Sequence, residues 1–444
     1  MTIRGRHRRS GSLLGRRFNL LWVGQAVSQL GDYVAYLTVP LFVLELVRAT
    51  SQDSRLPFAF TYALEQVPVL LVGFFGGVLL DRLRLRSLMI AADLARAIVF
   101  LGLAWVASQP TGEDTFLVVF GAAFLFGTFA SLFGSALFAF IPALVSQARL
   151  ATANGRVAAT QQVMMALGPL IAGVTVAAVT EPFELVVGGQ TLSINGFTLA
   201  FAFNAVTFVV SAISLALIGR VESPTPGHEH EGMMAEAVEG FRFLWTEPRL
   251  RSSTLAAAAA NLATGFIEAT FVVLAAELVG AELEWQIGAL LAALGVGGTI
   301  GALLASRSSR RIGLGRTMTL GLLGFGLAFL AGLATQFGLA TVVLFAAAFF
   351  AFAHTNVALV TIRQAYTPAR MLGRVTAASR AIGWATLPVG ALAGAALSDV
   401  VGLAPVAVAA ALVPVATAGA LGFTSIWSNA FGPSYRTIDL TDAS

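Results

Sequence analysis

The sequence predicts an all-α polytopic membrane protein, with about twelve transmembrane helices arranged as two six-helix repeats. Three observations carry this. The 444 residues are 57% hydrophobic and 11% charged, with a mean hydropathy of +0.82, whereas soluble domains average about 45–50% apolar and about 25% charged. The apolar residues form continuous runs near the ~20 residues that span a bilayer, not the alternating pattern of a barrel. The 27 basic residues, all arginine, concentrate in alternate gaps between those runs. The absence of cysteine excludes a disulfide scaffold and thiol chemistry. A net charge of +4 is too small and too dispersed for a nucleic-acid binder.

Residues 1–17 form a basic cytoplasmic arm with Arg4, Arg6, Arg8, Arg9, Arg16 and Arg17. The apolar run behind it is too long for a signal-peptide core, contains Asp32 and lacks a small-residue cleavage site. It reads as an uncleaved first span. Spans are expected at 18–46, 56–80, 87–107, 115–141, 154–179 and 196–218, which makes 18–218 an N-terminal six-helix bundle. Residues 219–251 form a cytoplasmic linker. Its first part, Pro224 to Glu231, is polar, and His228 and His230 read as solvated rather than metal-ligating because no further ligands lie nearby. Its second part, Met233 to Trp245, sets Ala237, Phe241, Leu244 and Trp245 at helical spacing, an amphipathic helix on the inner membrane surface. A C-terminal six-helix bundle over 252–427 follows, with spans at 252–278, 285–305, 316–335, 338–362, 373–398 and 402–427, and a cytoplasmic tail at 428–444.

The arginines set the orientation. With the N-terminus inside, 23 of 27 fall on cytoplasmic segments, only Arg48 and Arg55 lie outside, and Arg96 and Arg380 lie within spans. The positive-inside rule therefore places both termini in the cytoplasm, with the chain in the cytoplasmic (inner) membrane.

The halves echo each other. Ala153-Asn154-Gly155-Arg156-Val157 before span five resembles Met371-Leu372-Gly373-Arg374-Val375 before span eleven, and Pro169 and Pro388 follow at similar distances. Gly77 to Arg82 after span two has a counterpart in Gly301 to Arg307 after span eight. Paired repeats joined by a cytoplasmic connector are a pattern of secondary transporters.

At Gly77-x-x-x-Asp81-Arg82-x-Arg84-x-Arg86 the chain resembles the major facilitator superfamily, whose loop between spans two and three has this form; Arg84 stands where that family usually has glycine. The resemblance implies the major facilitator fold and a conformational latch at Gly77, Asp81, Arg82 and Arg86. Gly168-Pro169-Leu170-Ile171-Ala172-Gly173 in span five resembles the Gly-Pro-x-x-Gly element of antiporters, a bend with a small-residue face for span eight, where Gly297 and Gly301 offer a contact. Three further stretches are similar to the branch of enterobactin exporters and macrolide efflux pumps: Leu21-Trp22-x-Gly24-Gln25-x-x-Ser28-x-Leu30-Gly31-Asp32, Ala92-Asp93-Leu94-x-Arg96-Ala97 and Gly373-Arg374-Val375. That resemblance implies efflux of a drug-, macrolide- or siderophore-like solute.

Ionisable residues at membrane depth cost about 2.5–3.5 kcal/mol on insertion scales, so each needs a reason. On span one Gln25, Gln29, Asp32 and Tyr36 form one polar stripe. Thr61 and Glu65 share a face of span two, Asn261 and Glu268 one of span seven, and Arg380 and Trp384 stand a turn apart on span eleven. These stripes are expected to face a central cavity. Asp32, Glu65 and Glu268 are the candidates for proton coupling, and Arg380 is either a counter-charge or an inward-snorkelling side chain. Gln25, Gln29, Tyr36, Asn261 and Trp384 are the candidates for solute contact. Low dielectric favours the neutral form of a carboxyl, which suits proton exchange during alternating access. The bland alternative makes Asp32 and Glu65 structural. Asp93 and Arg96 are expected to pair structurally with the adjoining loop.

The expected function is export of a small amphipathic solute by a proton antiporter, a monomer with no cofactor or metal whose partners are solute, protons and the bilayer. An uptake symporter shares the fold, and a non-transporting receptor or scaffold is disfavoured by the charged stripes. An ATPase lacks its Gly-x-x-x-x-Gly-Lys loop, since the chain has no lysine. The four histidines have no catalytic spacing.

Overall fold

The computed structural model describes residues 14–51, 54–146, 149–179, 181–219, 221, 233–281, 283–368, 371–424 and 427. The basic arm before residue 14, the linker histidines and the tail from 428 lie outside the described residues. Among the described residues thirteen helices run in order: α1 (Arg16–Ala49), α2 (Leu56–Arg82), α3 (Leu85–Ala107), α4 (Asp114–Leu144), α5 (Leu150–Ala178), α6 (Gly196–Leu217), α7 (Met233–Thr246), α8 (Pro248–Glu277), α9 (Glu284–Ile312), α10 (Leu314–Leu333), α11 (Leu339–Tyr366), α12 (Leu372–Val401) and α13 (Leu403–Gly422). Among the described residues eleven are long and apolar enough to cross a membrane, and the apolar described part of α2 is Leu56–Val72. With α2 the spans number twelve, and each coincides with an expected run. Most helices reach past the apolar run because polar ends continue the backbone hydrogen bonding into the interface.

Two short links show how the chain turns. Gly313, at φ 89°, separates α9 from α10, and Gly402, at φ 94°, separates α12 from α13. A side chain is strained in that region of φ, so glycine permits a one-residue connection. Between α5 and α6 a two-stranded antiparallel hairpin, β1 (Phe183–Val187) and β2 (Gln190–Ile194), pairs Val187 with Gln190. Its turn is Gly188-Gly189, at φ 60° and 82°, the positive-φ pair that a two-residue hairpin requires. Ser193 N–H donates to the Ser108 carbonyl, and the Asn195 side chain donates to the Ala107 carbonyl, anchoring the hairpin on the end of α3.

Helices α1–α6 pack together, as do α8–α13. Two long seams join the halves, α5 against α9 and α2 against α12. The first is built on backbone proximity. A Cβ on Gly288 would sit 2.6 Å from the Pro169 carbonyl oxygen, one on Gly173 2.6 Å from that of Glu284, and one on Gly295 3.1 Å from Ala166 Cα. Gly168 instead abuts Tyr33 on α1. The expectation that Gly297 and Gly301 form the α5 contact is corrected here. Both press on the backbone of α11, at Ala346 and Phe350, because they stand on a different face of α9 from Gly288 and Gly295.

The linker helix α7 forms where its periodicity predicts. Leu244 is buried with Leu250, Met371 and Val375, and Glu239 pairs with Arg374 at 2.5 Å, so α7 is clamped to the start of α12.

Candidate functional site

Helical spacing brings the polar stripes together. On α1, Asp32 and Tyr36 are four residues apart, hence on one face, and Tyr33 stands beside them. Thr61, Tyr62 and Glu65 on α2 and Glu268 on α8 complete the polar lining of a cavity of about 260 Å³. Its other walls are apolar and aromatic, including Phe58, Phe100, Phe126 and Phe271. Carboxylates from both halves therefore line one chamber. Tyr62 Oη donates to Glu268 Oε2 at 2.6 Å, a hydrogen bond that crosses from α2 to α8. Glu65 and Glu268 have no ion pair among the described residues.

Asp32 differs. Its Oδ1 is 3.6 Å from Arg96 Nη1, and the same guanidinium pairs with Asp93 one turn away on α3. Arg96 is 2% exposed and Asp93 fully buried. The guanidinium carbon also lies 4.2 Å from the Phe208 ring centroid and 4.6 Å from that of Phe133. Arg96 is thus the counter-charge of Asp32. Asp93 and Arg96 pair inside the bundle, not with the loop as the sequence suggested, since the α3 face that carries them turns toward α4 and α6.

A second cavity, of about 200 Å³, adjoins the first at Glu268 and is lined by α8, α11 and α12. Asn261, Arg380 and Trp384 line it, apart from the chamber of Asp32, Glu65 and Tyr36, and so do Asn356 and Arg363. Asn261 donates to the Gly383 carbonyl at 2.9 Å. The Arg380 guanidinium carbon is 5.4 Å from the Trp384 ring centroid, and Arg380 forms no ion pair among the described residues. Gln25 and Gln29 are buried on α1 and line neither cavity. Their part of α1 faces α6, where Gly24 and Gly31 meet Ser214 and Asn204. His354 bonds Ser308 and the Phe350 carbonyl, away from both cavities.

Sequence reasoning did not single out Tyr33, Tyr62 and Arg363. Tyr62 was findable, one turn from Glu65 and beside Thr61. Arg363 was masked by its place among the arginines assigned to a cytoplasmic connector.

On the arginine-poor side a polar cluster ties the halves. Ser54 Oγ donates to Asp399 Oδ2 at 2.7 Å, Arg55 N–H donates to Asp399 Oδ1 at 2.9 Å, and Arg55 Nη2 is 3.2 Å from Glu277 Oε2. Two further side-chain hydrogen bonds join the halves, Tyr62–Glu268 at 2.6 Å and Gln162–Thr299 at 3.5 Å near mid-helix. The side chains of Gly77, Asp81 and Arg82 at the end of α2 lie outside the described residues. Arg86 donates to the Leu215 and Ala216 carbonyls at 2.8 and 2.7 Å, tying the loop to the end of α6.

Twelve spans in two halves around a polar chamber define an integral membrane protein of the transporter type. The family model of the Major Facilitator Superfamily matches residues 21–384, and the chain belongs to that family. The chain is 30% identical over 352 residues to the enterobactin exporter EntS of Escherichia coli O1:K1, covering 78% of this chain and 76% of that protein. In fold it is similar to the nucleoside transporter NupG, with a TM-score of 0.73 at 10% identity over 91% of this chain and 99% of that one. It is similar also to a bacterial homologue of the iron transporter ferroportin in an inward-facing state, with a TM-score of 0.67 at 18% identity over 93% of this chain and all of that one.

Proposed function

We propose that the chain exports a small amphipathic solute across the cytoplasmic membrane by alternating access, exchanging protons for solute. The observation that carries this reading is the convergence of Asp32, Glu65 and Glu268, from both halves, on one aromatic-lined cavity. A carboxylate and a protonated carboxyl offer a solute different charge and hydrogen bonding. Proton and solute therefore displace each other when both need the same group. Glu65 and Glu268 are the principal exchange groups, because among the described residues no arginine pairs with them to hold the charge constant. Asp32, held by Arg96, positions the chamber.

With the positive-inside orientation, the Arg55–Glu277–Asp399 cluster closes the outer side and the cavity is approached from the cytoplasm. In that position an exporter loads solute. The 30% identity to an enterobactin exporter supports the outward direction. The Gly168-Pro169 element and the seam of Gly173, Gly288 and Gly295 supply a close joint about which the halves rock. The 2–3 loop acts as the latch on the inner side, where Arg86 fixes it to its own bundle.

The test is flux. An efflux-deficient bacterial host expressing the chain is assayed for accumulation of a panel of macrolides, cationic dyes and siderophores. Lowered accumulation that is abolished by a protonophore and by E65Q/E268Q supports proton-coupled export. Raised accumulation identifies an uptake symporter, and no change across the panel identifies a non-transporting role.

A further inference from the structure

The geometry points to an anion-binding subsite in the second cavity, formed by Arg363 and Arg380, which holds the negatively charged end of the transported solute. This deepens the proposed function and rests on the cavity being the solute path. The two compartments that meet at Glu268 differ in the charge of their walls. The first presents Asp32, Glu65 and Glu268 with three tyrosines, and no arginine lines it. The second presents two guanidinium groups from different helices, Arg363 on α11 and Arg380 on α12, with Asn261, Asn356 and Trp384 around them.

Neither guanidinium has an ion pair among the described residues, and Glu268, at the far boundary, is the sole acid in that lining. Arg380 is exposed to the cavity and Arg363 is buried, so the pair offers an anion one accessible and one desolvated guanidinium. Arg380 stands eight residues into α12, about 12 Å from its arginine-rich end by helical rise. Arg363 is 8% exposed, so its charge is turned inward, not toward bulk water. Two planar forks facing one cavity match carboxylate, sulfonate or phosphate oxygens. The Trp384 indole beside Arg380 offers a flat surface for an attached ring.

The charge separation also fixes how a solute lies. From Ala257 to Glu268 the second cavity follows α8 for about 16 Å. An anion placed deeper meets three carboxylates. The solute class is therefore an amphiphile with an anionic end toward the arginine-rich side and an aromatic or donor-bearing body in the tyrosine-lined chamber. Proton exchange takes place at the body's end, so the anion is a fixed anchor and not a competitor for the proton.

The test uses a matched pair of probes. Purified full-length protein in phosphatidylcholine nanodiscs is titrated with dansylglycine and with dansylglycinamide, which share a fluorophore and differ by one negative charge. The carboxylate probe is expected to bind about tenfold more tightly. R363Q/R380Q is expected to erase that preference while leaving the affinity for the amide probe unchanged, which also reports that the variant is folded. Arg380→Lys retains the charge and should keep most of the preference. Equal or absent binding of the two probes by the unaltered protein overturns the proposal, as does a preference that survives R363Q/R380Q. Binding needs no gradient, so a chain that shows the preference yet moves no solute contradicts only the transport reading.

Discussion

At the scale of single residues, the group most tightly specified by its surroundings is Arg96. It is shared between Asp32 and Asp93, lies against two phenylalanine rings and is almost fully buried. Removing one partner of a buried charge cluster leaves the others uncompensated, typically at about 3–5 kcal/mol. Arg96→Gln is expected to lower the unfolding midpoint strongly, read by thermal denaturation in detergent, and D32N/D93N added to it should restore part of the loss. A midpoint unchanged in Arg96→Gln contradicts the shared-charge account. Tyr62→Phe removes one hydrogen bond to Glu268 and keeps the packing, so it should cost about 1.5–3 kcal/mol or less while altering transport more than stability. Asp32, Glu65 and Glu268 were legible because an acid stands out in an apolar run. Their partners were not, because pairing depends on which helices meet, and no spacing within one helix carries that information. Arg380 was read as either a counter-charge or an inward-snorkelling side chain, and the counter-charge of Asp32 is Arg96.

At the scale of elements, the α5–α9 seam illustrates why small residues recur. In a bilayer, helices gain little from hydrophobic association, so close backbone packing does much of the joining. A Cβ at Gly295 would already press on α5, and a Cβ at Gly134 would meet nothing within 4 Å. Gly295→Leu is expected to cost about 1–3 kcal/mol or more and to slow transport, whereas Gly134→Ala should leave both unchanged. Thermal shift and flux measurements on the pair check this, and equal behaviour of the two contradicts the seam. The spans and the amphipathic helix α7 were legible, because run length and 3.6-residue periodicity survive in the sequence. The face that Gly297 and Gly301 present was not, since glycines spaced by four mark a close approach without saying to what. The hairpin had a signal, a Gly-Gly pair between short β-branched runs, overshadowed by the polar break around it.

At the scale of the whole molecule, the two halves are held at the arginine-poor side by Ser54, Arg55, Glu277 and Asp399. Such a cluster biases a two-state equilibrium by the free energy of its contacts in one state only. Arg55→Gln is expected to shift the population toward opening on that side. The native chain has no cysteine, so spin labels are readily placed at exposed Ala49 and Val400. Their distance distribution should gain a longer component in Arg55→Gln, and an unchanged distribution contradicts a gating role. The family was legible from motif residues, and its model matches residues 21–384. The state of the cavity was not, because either state satisfies the same hydropathy.

The central claim is that carboxylates from both halves exchange protons for solute in one cavity. Its most direct measurement is proton movement in proteoliposomes carrying a pH-sensitive dye inside, with a solute identified by the accumulation panel added to one side. Solute moving down its gradient should drive protons the opposite way in the unaltered protein, and E65Q/E268Q should move solute without protons. Protons that travel with the solute, or counterflow that persists in E65Q/E268Q, would contradict it.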